Sequence, residues 1–279
     1  NRVFIGGPLA TRLESQGHQV KRLTREELSD CYKVVTEFKP DRIFHLAAYG
    51  SHHQETDVVE MVTTNLLRTF NLLSAANDKD VHYNAFIMTG SSSEYGRKYF
   101  PMKEIDLLEP DSFYAATKAG ATHLARAFAL TYNQPIVTVR PFSIYGPGEA
   151  DHRFIPTVIR SCLLGEPMKL ASGVHDWTFL EDLIDGMLIV ADHAGELKGE
   201  AVNLGTGESH SNEVVVELIE EVLGKKANIT ERIRSTSPFG YMWQAGNMKA
   251  RDLGWEPKVR LRDGLIETIK FYESKYRVG

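Results

Sequence analysis

Short apolar runs alternate along this chain with longer stretches whose apolar residues recur at helical spacing. Strand-like runs lie at 3–5, 19–23, 42–48, 85–88 and 135–140, and helical stretches lie at 9–16, 31–38, 58–76 and 114–132. This alternation is typical of right-handed crossovers between parallel strands. The pattern therefore predicts an α/β fold, a Rossmann-like doubly wound parallel sheet with a smaller C-terminal α/β part.

The pattern changes near residue 145. Beyond this point the chain has loops, tryptophan-containing turns and two late helical stretches, 212–223 and 261–276. We find no internal repeat or low-complexity segment in either part. We therefore expect a first unit over residues 1–145 and a second over residues 146–279, with the segment at about 174–205 returning to the first.

Composition and charge restrict the class of protein. A net charge of −5 argues against binding to nucleic acid or to an anionic membrane surface. Cys31 and Cys162 are too few for a disulfide framework, which favours a reducing compartment and a cytoplasmic location. No apolar run approaches the ~20 residues of a membrane helix, and no signal peptide is visible at Asn1.

Tyr114 and Lys118 are the most informative pair of polar residues. Because they are four positions apart they share one helix face, and the ammonium is expected beside the phenol. A neighbouring cation lowers the pKa of a phenol from its ordinary ~10, and such a phenol exchanges protons with an alcohol or ketone near neutral pH. A hydroxyl of Ser91, which ends a preceding strand, can hydrogen-bond the same substrate oxygen. Alone, the pair also fits a helix start with a surface lysine.

The first crossover lacks the glycine-rich turn of a dinucleotide-binding sheet. Such a turn brings the backbone against a pyrophosphate at a helix N-terminus. Here Ile5 leads directly into Gly6, Gly7 and Pro8, so no G-x-G-x-x-G can be written. We interpret Gly6 as the last glycine of the motif, with a loop absent from the contiguous numbering. The alternative is a site that no longer binds a cofactor.

Eight blocks of sequence, in a fixed order, resemble a known family. They are His45-Leu46-Ala47-Ala48, Asn65 with Asn71-Leu72-Leu73, Thr89-Gly90-Ser91-Ser92, Tyr114 with Lys118, Arg140 to Gly148, Asp176-Trp177-Thr178-Phe179, Asn203 to Gly207, and Leu253-Gly254-Trp255-Glu256-Pro257. Each block is weak alone, but their order and spacing are specific. The chain resembles an extended short-chain dehydrogenase/reductase of the nucleotide-sugar epimerase/dehydratase family, over nearly its whole length. The resemblance implies that the first unit binds NAD or NADP and that the second mainly binds substrate.

The resemblance also implies roles for individual residues. Tyr114 would be the acid/base, Lys118 would lower its pKa and hydrogen-bond the nicotinamide ribose, and Ser91 would polarise the sugar C4 oxygen. The expected cofactor-binding residues are Gly6, Arg25, Leu46, Ala47, Ala48, Asn65, Thr89, Tyr114, Lys118, Pro141, Ser143 and Ile144. The expected substrate-binding residues are Ser92, Ser93, Ser143, Arg153 and His175. A helix-anchoring side chain explains Asn65 equally well, and a salt bridge beneath the sheet explains Arg140 equally well.

Differences from the family's sequence pattern reduce the number of reactions that the chain is expected to catalyse. The dehydratases carry an acidic residue two positions before the tyrosine of a Tyr-Gly pair, where this chain has Ser93, preceded by Ser92. Glu94 comes one position later and, in an extended segment, would face the other way. Dehydration at C4 and C6 is therefore disfavoured. There remain an epimerase acting at C4 of a nucleotide-linked sugar, an NADPH-dependent reductase of a 4-keto-6-deoxysugar, and a catalytically silent binding homologue.

Two positions bear on the choice of ligand. Arg25 follows the second strand-like run, where NAD sites usually carry an acidic residue, and it slightly favours NADP. His175 stands where the family usually has a diphosphate-binding arginine, and a neutral imidazole is a weaker anion partner than a guanidinium. Arg153 is a candidate replacement for that charge, and Ser143 stands where the family often has a phosphate-contacting asparagine.

We expect no metal site in this protein, and we expect it to form a homodimer. His45, His52 and His53 have no carboxylate or third ligand at metal spacing, so they are interpreted as polar loop and strand-end residues. Related enzymes commonly dimerise through two helices, which here correspond to the stretch 58–76 and to the helix that carries Tyr114.

Overall fold

The main sheet has four parallel strands within the residues that the computed structural model describes, 4–51, 55–233 and 241–277. The strands in chain order are β1 (Arg42–His45), β2 (Ala85–Thr89), β3 (Ile136–Pro141), β4 (Ser143–Tyr145), β5 (Met168–Ala171), β6 (Val174–His175), β7 (Trp177–Phe179), β8 (Ala201–Leu204), β9 (His210–Ser211) and β10 (Ile229–Ile233). The sheet order is β1-β2-β3-β8, with Ile43 opposite Phe86 and Val139 opposite Val202. The predicted parallel α/β sheet is confirmed.

Ten α-helices of the described residues connect or flank these strands. They are α1 (Gly6–Ser15), α2 (Tyr32–Phe38), α3 (Val58–Val62), α4 (Arg68–Ala76), α5 (Phe113–Tyr132), α6 (Phe154–Leu164), α7 (Leu180–Asp192), α8 (Asn212–Leu223), α9 (Met248–Asp252) and α10 (Leu261–Arg277). A π-helical turn, Thr63–Leu67, joins α3 to α4 into one helical stretch, and Ser92–Tyr95 forms a 3₁₀ turn. Local sequence sets the ends of α5. Ser112 Oγ accepts a hydrogen bond from the Ala115 amide at 3.2 Å, and Asn133 ends the helix in the left-handed conformation.

Both faces of the sheet are covered, as expected of a doubly wound fold. Successive side chains of a strand point to opposite faces. Ala85 and Ile87 therefore pack with α1 and α7, whereas Phe86 and Met88 pack with α2, α4 and α5. All four of these β2 side chains are fully buried, which explains why this strand is a continuous apolar run in the sequence.

The first two predicted strands are wrong. Phe4 and Ile5 form a turn, and the Ile5 carbonyl already accepts a hydrogen bond from the Leu9 amide, so the chain enters α1 with no intervening loop; Val3 lies outside the described residues. The run 19–23 is not a strand either. A strand needs a hydrogen-bonding neighbour, and this run instead places Leu23 against the α2–α5 face and pairs Arg22 with Glu14.

The C-terminal part has its own core. Side chains of α6, α8 and α10 pack with those of β5 and with Tyr145, Trp177 and Phe179. β5 pairs with β10, and β4 pairs with β7. Within the segment 174–205, α7 and β8 pack in the core of the main sheet, whereas β6 pairs with β9. The C-terminal part therefore meets the main sheet where β3 passes into β4.

Candidate active site

Ser91, Tyr114 and Lys118 lie at the carboxyl edge of the main sheet. Ser91 follows β2 by two residues, and Tyr114 and Lys118 lie in the first turns of α5. Lys118 is almost completely buried, and its ammonium donates a hydrogen bond to the Thr89 carbonyl at the end of β2. The Ser91 hydroxyl lies close enough to the Tyr114 phenol to act on its pKa. The structure thus brings the three predicted catalytic residues together.

Burial controls the titration of the two ionisable side chains. Burial raises the pKa of Tyr114 above its ordinary value, and the Ser91 hydroxyl acts in the opposite direction. Burial lowers the pKa of Lys118 to about 8, and the Glu94 carboxylate opposes this change. Desolvation is therefore the largest effect on the pKa of the phenol, and the effect expected of Lys118 stays a prediction. Lys118 remains mainly protonated at neutral pH.

The turn that carries Ser91 is a 3₁₀ turn and not an extended segment. The Ser91 and Ser93 hydroxyl oxygens are 2.7 Å apart, and the Ser93 amide donates to Ser91 Oγ at 3.2 Å. Because of this turn, Glu94 points into the protein and forms a buried salt bridge with Arg140 at 2.9 Å. The salt-bridge interpretation of Arg140 is confirmed, whereas the extended geometry assumed for Glu94 is wrong.

Ser92 and Ser93 have different surroundings. The Ser92 hydroxyl is buried and accepts a hydrogen bond from Trp243 Nε1 at 3.0 Å. Ser93 instead faces Ser91, through the pair of hydroxyl groups described above. Sequence reasoning missed Trp243, which lies more than 140 positions along the chain from this turn, and no local pattern connects the two segments.

The nicotinamide end of the expected cofactor site fits such a group. Thr89 Oγ1 is buried and has no hydrogen-bond partner among the described residues. The Lys118 ammonium has three N–H donors, of which the Thr89 carbonyl takes one. A ribose hydroxyl placed beside the ammonium would accept one of its remaining N–H groups. Pro141 ends β3 beside this position.

Four other predicted cofactor-binding residues lie in or next to the hydrophobic cores that cover the sheet. Leu46 and Ile144 pack in the core that covers one face of the sheet, and Ala47 packs in the core of the opposite face. Ala48 follows them at the carboxyl end of β1. Each of these residues helps to form the edge of the sheet on which a cofactor would rest.

Asn65 anchors three segments. Its amide nitrogen donates to the Tyr49 carbonyl at 2.8 Å and to Thr117 Oγ1 at 2.9 Å, and its oxygen accepts from the Tyr49 amide at 2.9 Å. These bonds tie the loop after β1 to α5, next to Lys118. The helix-anchoring interpretation of Asn65 therefore accounts for both of its N–H groups.

The phosphate end of the cofactor site lacks a glycine turn in the described residues. Gly6 is the first residue of α1, and Ile5 before it already has helical backbone angles. A side chain added to Gly7 would meet nothing within 4 Å, so no close approach requires a glycine there. Arg25 lies near this edge, with its guanidinium carbon 5.8 Å from the Tyr49 ring centre and Nη1 3.6 Å from Glu55 Oε1.

Ser143, His175 and Arg153, which were predicted to bind substrate, lie beyond the end of β3. Ser143 Oγ is 3.3 Å from His175 Nδ1, and the imidazole packs against Trp177 at 5.2 Å between ring centres. Burial lowers the pKa of His175, and the charge of Arg153 lowers it further. The imidazole is therefore neutral at neutral pH. Arg153 donates to the Ser51 carbonyl at 3.1 Å, and its charge also lowers the pKa of Tyr114.

Glu149 is a buried acid that sequence reasoning missed. Its Oε1 accepts from Arg153 Nε at 3.3 Å, and its Oε2 is buried with no partner among the described residues. Burial raises the pKa of Glu149 to about 7, against the effect of Arg153. The spacing of four between these residues was a usable signal for the ion pair. No local pattern indicates the contact with α10, in which the Tyr272 hydroxyl donates to the Glu149 backbone carbonyl.

A metal site needs clustered His, Cys, Asp or Glu side chains, and a membrane span needs a long apolar helix. No group of three or more His, Cys, Asp or Glu side chains among the described residues is arranged to hold a metal ion. His45 is buried and bonded to Thr69, and burial lowers its pKa to about 3; His52 and His53 lie outside the described residues. No helix in the described part of the chain is long and apolar enough to cross a membrane.

Comparison with known proteins agrees with this geometry. Residues 2–205 match the NAD dependent epimerase/dehydratase family. The chain is 29% identical over 283 residues to dTDP-glucose 4,6-dehydratase of Neisseria gonorrhoeae, covering 91% of this chain and 80% of that protein. The structure of MoeE5 in complex with UDP-glucuronic acid and NAD superposes with a TM-score of 0.84 at 28% identity, covering 98% of this chain and 96% of that one.

A second solved structure is also similar. It is the UDP-glucuronic acid 4-epimerase of Bacillus cereus, with a TM-score of 0.80 and 27% identity, covering 97% of this chain and 86% of that one. These relatives share the Rossmann-type sheet and belong to enzymes that act on nucleotide sugars. The match over residues 2–205, together with Ser91, Tyr114 and Lys118 at the carboxyl edge of a parallel sheet, shows that this chain belongs to the NAD dependent epimerase/dehydratase family.

Proposed function

We propose that this protein is an NAD(P)-dependent epimerase that acts by reversible hydride transfer at C4 of a nucleotide-linked sugar. The observation that carries the proposal is the grouping of Ser91, Tyr114 and Lys118 at one edge of the sheet, with hydroxyl groups and no carboxylate at positions 92 and 93. Epimerisation needs proton and hydride exchange at a single carbon. Elimination of water would need a further acid or base, and the one nearby carboxylate of the turn, Glu94, is committed to Arg140.

Three side chains of the site would have separate roles in proton transfer. Tyr114 would take the proton of the C4 hydroxyl and return it after the sugar ketone has turned its other face. Ser91 would donate a hydrogen bond to the same oxygen and hold it within reach of the phenol. The Lys118 ammonium would stabilise the phenolate form and orient a ribose hydroxyl. A bound nicotinamide dinucleotide supplies the group that accepts and returns the hydride.

Charged and polar residues beyond the end of β3 support the proposal that the substrate is a nucleotide-linked sugar. Arg153 carries a positive charge close to Tyr114, and His175 and Ser143 supply further polar atoms. A guanidinium is the better partner for a diphosphate, so we assign the phosphate contact to Arg153. Ser92 and Ser93 would contact the sugar from the turn after β2, with Ser93 the nearer to Ser91.

A reductase of a 4-keto-6-deoxysugar is the second candidate. Its support is Arg25, whose positive charge lies against Tyr49 in the loop after β1 and would suit the 2′-phosphate of NADP. A preference for NADP would suit a reductase, because reduction consumes the cofactor. A catalytically silent homologue is a third candidate, supported by the missing glycine turn. The intact Ser91, Tyr114 and Lys118 weigh against it.

The absorbance of the purified protein near the reduced-nicotinamide band separates these candidates. An epimerase should retain a tightly bound dinucleotide and convert a nucleotide sugar without net cofactor turnover. A protein that is isolated without cofactor and oxidises added NADPH with a 4-keto sugar would establish the reductase. Binding of a nucleotide sugar with no turnover of either kind would establish the silent homologue.

Replacing Tyr114 with Phe tests the central assignment. The variant should lose at least about 10³-fold in kcat, because the phenol both takes and returns the proton. Binding of the dinucleotide, measured by calorimetry, should change little, since Lys118 and Thr89 remain. A variant with retained turnover would remove Tyr114 from the mechanism.

We also propose that the protein works as a cytoplasmic homodimer. Support for the dimer comes from exposed apolar side chains on the helical stretch 58–76 and on α5, including Val59, Leu67 and Phe113. Support for a reducing compartment comes from Cys31 and Cys162, which are both buried free thiols.

A further inference from the structure

Glu94 stands at the centre of a buried network behind the catalytic serine. Its side chain is fully buried, and Oε1 accepts hydrogen bonds from the Ser91 amide at 2.8 Å and from Thr122 Oγ1 at 3.0 Å. Its Oε2 accepts from Arg140 Nε at 2.9 Å. One carboxylate therefore joins the turn after β2 to α5 and to β3, the three elements that form the candidate active site.

The network continues toward the substrate side. Arg140 Nη1 donates to the Tyr95 hydroxyl at 2.8 Å, and the guanidinium carbon lies 4.7 Å from the centre of the Tyr95 ring. The Tyr95 hydroxyl donates to Asn203 Oδ1 at 2.7 Å, and Asn203 Nδ2 donates to the Met102 carbonyl at 2.8 Å. All of the side chains that link Glu94 to Asn203 are buried. The turn that carries Ser91 is therefore held from behind by a rigid set of polar contacts.

The same carboxylate acts on two of the catalytic side chains. Glu94 raises the pKa of Lys118, against the larger effect of burial, and it raises the pKa of Tyr114 in addition to burial. These effects follow from a negative charge placed in a region without water, where charge interactions are strong. The position of Glu94 thus affects both the geometry of Ser91 and the protonation of Lys118.

We propose that Glu94 is a positioning residue of this site, which together with Arg140 fixes the Ser91 turn against α5 and, through its contact with Thr122, places a buried negative charge one helical turn from Lys118. The proposal rests on the proposed function of Ser91, Tyr114 and Lys118. Glu94 contacts neither substrate nor cofactor in this role. Two substitutions distinguish the effect of its charge from the effect of its position. Glutamine keeps the length of the side chain and removes the charge, whereas aspartate keeps the charge and shortens the side chain.

The direction of the pH effect follows from the charges that face this region. Arg140 approaches Glu94 from β3, Tyr95 from its own turn, and Lys118 and Tyr114 from α5. His45 of β1 is neutral at working pH, and Glu55 and Arg153 act on Tyr114. Replacing Glu94 with Gln removes a negative charge and leaves the Arg140 charge uncompensated. Both changes favour neutral Lys118, so its pKa should fall.

The test compares Glu94→Gln and Glu94→Asp with Thr122→Val, which removes a hydrogen bond to the same oxygen without changing charge. Lys118 is titrated by ¹³C NMR of protein labelled at lysine Cε, with the signal assigned from Lys118→Arg, so this measurement does not depend on turnover. In Glu94→Gln the pKa of Lys118 should fall by about one pH unit. It should be unchanged in Glu94→Asp and Thr122→Val.

Turnover provides the second measurement. Glu94→Asp should lose about 10-fold or more in kcat with little change in KM, because the shorter side chain no longer reaches the Ser91 amide. An unchanged Lys118 titration in Glu94→Gln would overturn the proposal, and so would full kcat in Glu94→Asp. If Glu94→Gln does not fold, as judged by circular dichroism, the kcat of Glu94→Asp decides whether Glu94 positions the Ser91 turn. A wild-type protein without turnover would refute the proposed function, while the Lys118 titration would still decide the role of the Glu94 charge.

Discussion

At the scale of single residues, burial determines how this site titrates. Lys118 and Glu149 are both almost completely buried, and burial moves the pKa of each toward neutrality, to about 8 and about 7. Their spacing in the sequence indicates which groups are neighbours. It does not indicate how much water surrounds them, because the elements that exclude water come from distant parts of the chain.

Glu149 gives a pH-dependent stability that can be measured. Its pKa is raised on folding from about 4.5 to about 7, so the folded state binds more protons than the unfolded state between these values. Stability from this group is present below pH 4.5 and is lost as pH rises through 7. Relative to Glu149→Gln, the wild-type protein should lose about 1 to 3 kcal/mol of unfolding free energy between pH 5 and pH 8.

Urea unfolding at both pH values checks this prediction. Glu213→Gln is a suitable control, because Glu213 lies in the first turn of α8 and is less buried than Glu149. Its difference from the wild-type protein should not change with pH in this range. A constant difference between wild type and Glu149→Gln would show that Glu149 is ionised in both states at pH 5.

At the scale of elements, the sequence correctly predicted the helices and strands whose ends are determined by their own residues. The helix Asn212–Leu223 begins and ends where the pattern placed it, since Ser211 caps it and Gly224 ends it in the left-handed conformation. The predicted strands at 3–5 and 19–23 failed because a strand depends on a neighbour that local sequence does not reveal. The 3₁₀ turn of Ser92–Tyr95 was missed because Glu94 is held by Arg140, 46 positions away.

Gly96 fixes the end of this turn. Its φ of +68° and ψ of −151° are accessible mainly to glycine, and an added Cβ would lie 1.9 Å from the Glu109 carbonyl oxygen. Gly96→Ala should therefore lower the free energy of unfolding by about 3 kcal/mol or more and reduce kcat through Ser91. Thermal and urea unfolding measure the loss of stability.

Gly224→Ala is the matched control for Gly96→Ala. Gly224 also has a positive φ, of 62°, but an added Cβ would meet nothing within 4 Å. Its replacement should reduce the free energy of unfolding by only about 1 kcal/mol and leave kcat unchanged. Equal losses in the two variants would contradict the steric argument for Gly96.

At the scale of the whole molecule, the sequence predicted the parallel sheet and the grouping of Ser91, Tyr114 and Lys118. It predicted them because hydrophobic periodicity determines which elements form, and parallel strands bring their carboxyl ends to one edge. The contact of Trp243 with Ser92 joins distant segments, and no periodicity encodes it. The glycine turn expected at the phosphate end of the cofactor site is not found in the described residues, because α1 begins directly after Ile5.

The proposed dimer can be tested on the exposed surface of the stretch 58–76. Leu67 is 55% exposed, and Phe70 contacts Phe128 of α5, so this surface lies where the two helical elements meet. Light scattering should give twice the 31.4 kDa of one chain, and Leu67→Glu should give the mass of one chain. Leu107→Glu, at a loop residue that is 74% exposed, should remain dimeric. A monomeric wild-type protein would refute the dimer.

The most direct test of the central claim follows the hydrogen at C4. The protein is incubated with UDP-glucose or UDP-glucuronic acid carrying deuterium at C4, with catalytic amounts of NAD or NADP, and the products are analysed by NMR. The account predicts the C4 epimer with deuterium still attached to C4, and no epimer from Tyr114→Phe. An epimer in which C4 carries hydrogen from solvent, or undiminished conversion by Tyr114→Phe, would contradict it.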